Sequence, residues 1–478
     1  MMKDIYRGGH YRILSDEEIL QIHETALKIL WEVGFEISYL PMIKLLEDNG
    51  AKIDLENGRA YLPHELVSGC IKQAPAEFKF YGQEEGKEIT LGGNKVNFGT
   101  GGEALYVMDT HRKRRPALLQ DIADFACLTD KLNNVDFFII PTVAHDVNIN
   151  ILNINGYYQA MKNTGKPVMG GIVNVESLRQ VIQLSSHLAG GMDKLQERPF
   201  VGFISTVASP LKINNDRVEV LMEVAEHGLP LAVSSAPIAG ATAPMTLAGT
   251  LVQQNAEALI GVVLSQLVNP GTPVLYSAVP CTMDMRYGSF LMGSIESGLM
   301  NAAVTQMAHY YALPCYITVG VTDSKLPDAQ SAYESATTCM LAALSGGNYI
   351  KQAFGFLDGA LTISYAQFII DNDIVGSCLR TLQGIDVNTK TLAYEVIADV
   401  GPGGNFLTQQ HTVEHLRTEK YLPRVSSRQD YHAWLRAGEK DSWESAEEIA
   451  RQLLEEVSKK HIPDDLDIEL RSLFPELK

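Results

Sequence analysis

The stretch 410-QHTVEHLRTEK-420 carries His411, Glu414 and His415 in the order H-x-x-E-H. On a helix that spacing sets two imidazoles on one face, where they can hold zinc while the glutamate serves as general base. A zinc-dependent hydrolase is therefore the first chemistry to weigh. It needs a third ligand and a cleft, which the rest of the chain must supply. Cysteine offers no alternative metal pattern: residues 70, 127, 281, 315, 339 and 378 include no C-x-x-C pair. That usage argues against a zinc ribbon, an iron–sulfur site or a disulfide framework and fits a reducing cytoplasm. Neither G-x-S-x-G nor G-x-x-x-x-G-K-[ST] occurs, and the glycine clusters 99-GTGG-102 and 401-GPGG-404 match no dinucleotide fingerprint. Serine hydrolysis and hydride transfer lose support accordingly.

The elements that would position a site are legible from periodicity. Residues 15–34 open with Ser15 and Glu18 in capping-box order and place Ile19, Ile22, Ala26, Ile29 and Leu30 at helical spacing. Shorter helical patterns near 40–50 and 63–74 and a hairpin over 78–91 complete an α/β N-terminal cap spanning 1–93. Eight short apolar runs follow, at 96–100, 136–143, 167–172, 200–206, 230–236, 273–279, 314–320 and 349–354. Helical patterns separate them, near 119–131, 149–163, 175–190, 215–227, 245–268, 292–312, 328–346 and 361–381. Eight successive βα units with no switch in pattern imply a (β/α)8 TIM barrel over 94–382. Pro167, Pro230, Pro273 and Pro314 head their strands, where a missing N–H costs least. Residues 383–478 read as an α-rich C-terminal cap packed on the barrel, with a helix over 443–460.

Bulk properties narrow the partners. The formal charge of −18 repels phosphate backbones and anionic lipid, and the basic run 111-HRKRR-115 reads as a solvated loop. The N-terminus shows no apolar signal region, and the longest aliphatic stretch, 245–268, is interrupted by Gln253, Gln254, Asn255 and Glu257. A cytoplasmic enzyme without membrane or nucleic-acid partners is expected.

In such a barrel the active site lies at the C-terminal strand ends. The side chains there include Glu103 and Tyr106 after the first run, His145 after the second and Tyr276 in the sixth. Asp323 and Lys325 follow the seventh run, with Phe354 and Phe356 at the eighth. Aromatic rings with few carboxylates suit a quaternary ammonium ion, which has no N–H to donate and is held by ring faces. Each ring taken singly also fits rim packing.

The segments 269-NPGTPVLYSAVP-280, 321-VTDSKLPDAQSAYE-334 and 401-GPGGNFLTQQHTVEHLR-417 resemble, in that order, the trimethylamine methyltransferase (MttB-like) family, and the resemblance runs along essentially the whole chain. It implies a TIM barrel that presents a methyl group to Co(I) of a separate corrinoid protein docked over the mouth, often as a homo-oligomer. No cofactor is implied to be tightly bound here. Founding members use pyrrolysine near the seventh strand, whereas 314-PCYITVGVTDSKLPDAQ-330 holds only ordinary residues. The chain thus resembles the branch acting on betaines, whose nitrogen already carries the charge that makes it a leaving group. On this reading Asp323, Glu334 and His411 are catalytic candidates. Glu103, Tyr106, His145, Tyr276, Lys325, Phe354, Phe356, Asn405 and Gln409 are substrate-binding candidates, and no residue is assigned to a metal. The near-signature 109-DTHRKR-114 has Arg114 where a corrin-binding motif needs glycine, so the corrinoid should arrive on a partner. A betaine-binding barrel without chemistry stands as a further alternative.

Overall fold

The computed structural model describes residues 6–457 and 459–478. The first five residues of the expected N-terminal cap and Ser458, near the end of the expected helix 443–460, lie outside the described residues.

Eight strands form one parallel sheet: β1 (Asn97–Phe98), β2 (Phe138–Ile139), β3 (Val168–Gly171), β4 (Val201–Val207), β5 (Leu231–Ser235), β6 (Val274–Ser277), β7 (Cys315–Thr318) and β8 (Tyr349–Lys351). Each falls on one of the eight apolar runs. Their spatial order is β1-β8-β7-β6-β5-β4-β3-β2, so every strand from β3 onward lies beside its predecessor. The sheet curls until one parallel bridge, Gly99 to Phe137, joins the β1 and β2 sides. Beside that bridge the Thr100 hydroxyl accepts from the Ile139 N–H at 2.7 Å and donates to the Ile139 carbonyl at 2.6 Å, substituting a side chain for ladder bonds. The architecture is α/β, an eight-stranded parallel sheet wrapped by helices.

The four head prolines work through their carbonyls. Pro167, Pro230, Pro273 and Pro314 accept from the N–H groups of Phe138, Phe203, Leu231 and Tyr276 at 2.8–3.0 Å, and a pyrrolidine nitrogen loses nothing there.

The period of two along each strand sorts side chains between two cores. Ile139, Met169, Ala232, Leu275, Tyr316 and Tyr349 point inward and pack with Phe80, Ile89 and Leu91 of the N-terminal hairpin Glu77–Phe80/Ile89–Gly92. The alternate residues Val168, Val233, Tyr276, Ile317 and Ile350 face the helices in the larger core. Inside the curl, Phe137 stacks on Tyr349 with centroids 3.6 Å apart, and Tyr349 in turn on Tyr316 at 5.8 Å. This aromatic column fills the lower half of the interior.

Helix starts follow their caps. The helix expected over 245–268 begins at Leu247 because the Thr246 hydroxyl accepts from the Gly249 N–H, and that expected over 292–312 begins at Ile295 behind Ser294. The Leu247–Val268 helix is long and apolar enough to cross a membrane, but most of it is buried. Its polar residues have partners: Asn255 accepts from Tyr276, and Glu257 from Ser209, Leu211 and Gln253. The basic run makes ion pairs, Arg112 with Glu447, Arg114 with Asp358 and Arg115 with Asp121.

Several elements have no counterpart in the expectation. Phe35–Glu36, Lys52–Asp54 and Arg59–Tyr61 form a three-stranded sheet, and a hairpin of Cys281–Asp284 and Ser289–Leu291 stands beyond β6. The C-terminal helix is Ser442–Glu455, shorter than expected, and is followed by a further helix, Asp464–Leu473. The closing segment is anchored by buried His461 between Glu84 at 2.8 Å and Asp130 at 3.3 Å. Between 385 and 416 the short helices Tyr394–Val400 and Gln410–His415 bury no residue, leaving Ile385, Tyr394 and Leu407 exposed.

Candidate active site

A cavity of about 600 Å³ opens at the C-terminal ends of the strands. Tyr316, atop the aromatic column, is its floor. Ile139, Ile140, Ile172 and Ile204 line the wall, and Phe290, Met292 and Leu361 the rim. The lining is mostly apolar, and Glu103 is its one carboxylate among the described residues.

Glu103 is solvent-accessible through the open cavity, yet protein crowds closely enough around it that desolvation raises its carboxyl above the usual range, opposed by Lys351 and Arg217. Its position depends on Gly171: a β-carbon there would lie 2.4 Å from Oε1. Lys351, two residues after Tyr349 on the same inward face, places Nζ 5.1 Å from the Tyr316 ring centroid. Burial depresses its ammonium to about 8, against the favourable field of Glu103. Arg217 donates to the Ile172 carbonyl at 2.5 Å and lies 3.1 Å from Asp216. Gln352 follows Lys351 with φ +61°, a left-handed conformation unusual for a residue with a β-carbon, and its Nε2 donates to the Gly102 carbonyl at 2.9 Å. Strain of this kind is characteristic of functional sites.

Of the twelve candidate catalytic and substrate-binding side chains, Glu103 lines the cavity and the other eleven do not. Tyr276 points outward to the helices, where its hydroxyl donates to Asn255 Oδ1 at 2.7 Å; the strand's parity puts Leu275 inside instead. Phe354 and Phe356 are fully buried in the outer core. Tyr106 lies under the Arg114 guanidinium at 3.6 Å and beside the exposed His145 ring. Asp323 stands behind the rim, accepting from the N–H groups of Met292 and Gly293 at 3.1 and 3.2 Å, and burial pushes its carboxyl up to about 6. Glu334 accepts from Thr322 Oγ1 and the Asp323 N–H, which makes it a support for that loop. Lys325 is exposed and donates to the Asp323 carbonyl at 2.7 Å.

Asn405, Gln409 and His411 lie on the 401–416 segment, away from the cavity lining. The His411 and His415 rings stand 4.4 Å apart, while Glu414 faces Gln410. Among the described residues no third His, Cys, Asp or Glu joins them into a ligand group. Lys351, Arg217, Gln352 and Tyr316 were not anticipated. Parity carried the signal for two of them, since Tyr316 and the Tyr349–Lys351 pair occupy inward positions.

The curled α/β sheet with one deep, largely apolar cavity at its C-terminal edge is the design of an enzyme that encloses a small molecule. Comparison with known proteins is specific: the family profile described as trimethylamine methyltransferase (MTTB) matches residues 2–475, and the chain belongs to that family. It is 35% identical to the trimethylamine methyltransferase MttB of Desulfitobacterium hafniense over 97% of this chain and 93% of that one. It is also 35% identical to a glycine betaine methyltransferase from another strain of D. hafniense, over 96% and 95%. Among solved structures the monomethylamine methyltransferase MtmB of Methanosarcina barkeri shares the fold, with a TM-score of 0.54 and 11% identity over 92% of this chain and 93% of that one.

Proposed function

We propose that this protein is a quaternary amine:corrinoid methyltransferase, moving an N-methyl group from a betaine such as glycine betaine to Co(I) of a corrinoid carried by a partner protein. The observation carrying this reading is a deep apolar cavity with one carboxylate, in a family member 35% identical to a glycine betaine methyltransferase. The lining has no histidine or cysteine and no pair of carboxylates, and we read its two titratable groups of opposite charge, Glu103 and Lys351, as binding groups. Displacement at a quaternary nitrogen needs no acid–base catalyst: as the N–CH3 bond breaks, its electron pair returns to nitrogen and a neutral tertiary amine leaves. When docked at the cavity mouth, the reduced corrinoid supplies the nucleophile.

The residues of this chain then supply position and exclusion of water. The isoleucine walls surround the onium group, and the single carboxylate holds it without stabilising the ground-state cation so strongly that transfer slows. Asp323 and Glu334 act through the rim they hold in place. His411, Asn405 and Gln409 belong to the 401–416 segment, a region for the docked partner to meet. We read the Gly99–Phe137 bridge as the seam of a closed (β/α)8 barrel, the cell location as cytoplasmic, and the exposed apolar side chains of 385–416 as favouring a homo-oligomer.

Methylation of free cob(I)alamin tests the reaction. Conversion with a betaine and none with trimethylamine supports it. The rival zinc hydrolase predicts bound zinc and chelator-sensitive hydrolysis, for which His411 and His415 alone offer two ligands.

A further inference from the structure

Two opposite charges face the cavity without meeting. The Glu103 carboxylate, on the lining, makes no hydrogen bond or ion pair with any described residue. Lys351 Nζ rests over the Tyr316 ring, and no carboxylate among the described residues lies within ion-pair contact of it. Both line the same cavity, and each favours the charged form of the other. Arg217 is committed to Ile172 and Asp216, which leaves it a neighbour that favours ionised Glu103.

Local packing keeps the pair apart. Gln352 ties to the Gly102 carbonyl beside Glu103, and the bare Gly171 gives the carboxylate its place on the β3 side. Separated, unpaired charges in an apolar cavity are costly unless a ligand completes them. A ligand completing both must carry a cation and an anion.

Resting on the reading that this cavity holds the methyl donor, we propose that Glu103 and Lys351 form a dipolar cradle that selects zwitterions, with the donor's onium end at Glu103 and its carboxylate on Lys351. A cation without an acid group gains Glu103 but lies in the field of Lys351. A carboxylate without an onium group meets the opposite mismatch. The cradle is complete while Lys351 is protonated, so the hold on the substrate carboxylate weakens as pH rises through about 8.

Titration calorimetry on the full chain without corrinoid tests this, using glycine betaine, choline and 3,3-dimethylbutyrate, the carbon isostere of the betaine. The wild type should prefer glycine betaine to both. Lys351→Met should weaken glycine betaine by about 30-fold, the loss of a charged hydrogen bond, and leave choline unchanged or tighter. Glu103→Gln should weaken glycine betaine and choline and favour the isostere. Should Lys351→Met fail to fold, the wild type titrated from about pH 7 to about pH 9 serves instead, with betaine affinity falling and choline affinity unchanged or rising. Equal loss of choline and betaine in Lys351→Met, or a wild type indifferent among the three, overturns the cradle. Zwitterion binding without methyl transfer to cob(I)alamin would sink the proposed reaction and leave the cradle standing.

Discussion

Gly171 shows how one hydrogen atom can set a site. An alanine β-carbon would meet the flexible end of Glu103, so Gly171→Ala should change stability by no more than about 1 kcal/mol while displacing the carboxylate. The expected cost is about tenfold or more in kcat/KM for the methyl donor, measured beside an unfolding midpoint that moves little. Tyr276 gives the opposite pattern. Tyr276→Phe removes a donor to Asn255 behind the sheet and should cost about 1 kcal/mol in urea unfolding with KM unaltered. These two residues also mark where sequence reading ended. Composition shows that aromatic residues cluster near strand ends, but a shift of one position moves a side chain from the interior to the helices. The run 273-PVLYSAV-279 does not announce its parity, whereas Glu103, outside any strand, was found because it simply follows one.

At the scale of elements, the rim depends on the hairpin Cys281–Asp284/Ser289–Leu291, which carries Phe290 to the cavity and is held at its base by Asp323. Asp323→Ala frees the N–H groups of Met292 and Gly293, so hydrogen exchange over 285–293 should quicken with little change in the exchange of β1–β8. The pH dependence has a definite sign. Burial raises the folded carboxyl from 3.8 to about 6, so the protonated form is favoured by folding. Its contribution to stability is complete below 3.8 and is lost as pH rises through about 6. Asp323→Asn should therefore flatten the unfolding free energy across that window, as measured by denaturant titration at a series of pH values. The eight strands and most helices were legible because long amphipathic or apolar periods and side-chain caps are local signals. The hairpin and the small N-terminal sheet were not, since strands such as Phe35–Glu36, Lys52–Asp54 and Cys281–Asp284 mix polar and apolar residues and sit in no continuous apolar run.

At the scale of the whole molecule, the parallel order, the N-terminal hairpin under the aromatic column and the C-terminal return through His461 place the cavity at one open edge. The 385–416 segment presents Ile385, Tyr394 and Leu407 to solvent, and its two helices, Tyr394–Val400 and Gln410–His415, are too short to hold themselves in water. Static light scattering should give a mass above that of a single chain, and Tyr394→Glu with Leu407→Glu should return it to one chain. The most direct measurement is the visible spectrum of cob(I)alamin incubated with the protein and, in turn, glycine betaine, other betaines, choline and trimethylamine. Conversion to the methylated corrinoid with a betaine, and none with trimethylamine, is the expected result. An unchanged spectrum with every quaternary amine, from folded protein that binds zinc at His411 and His415, would refute methyl transfer.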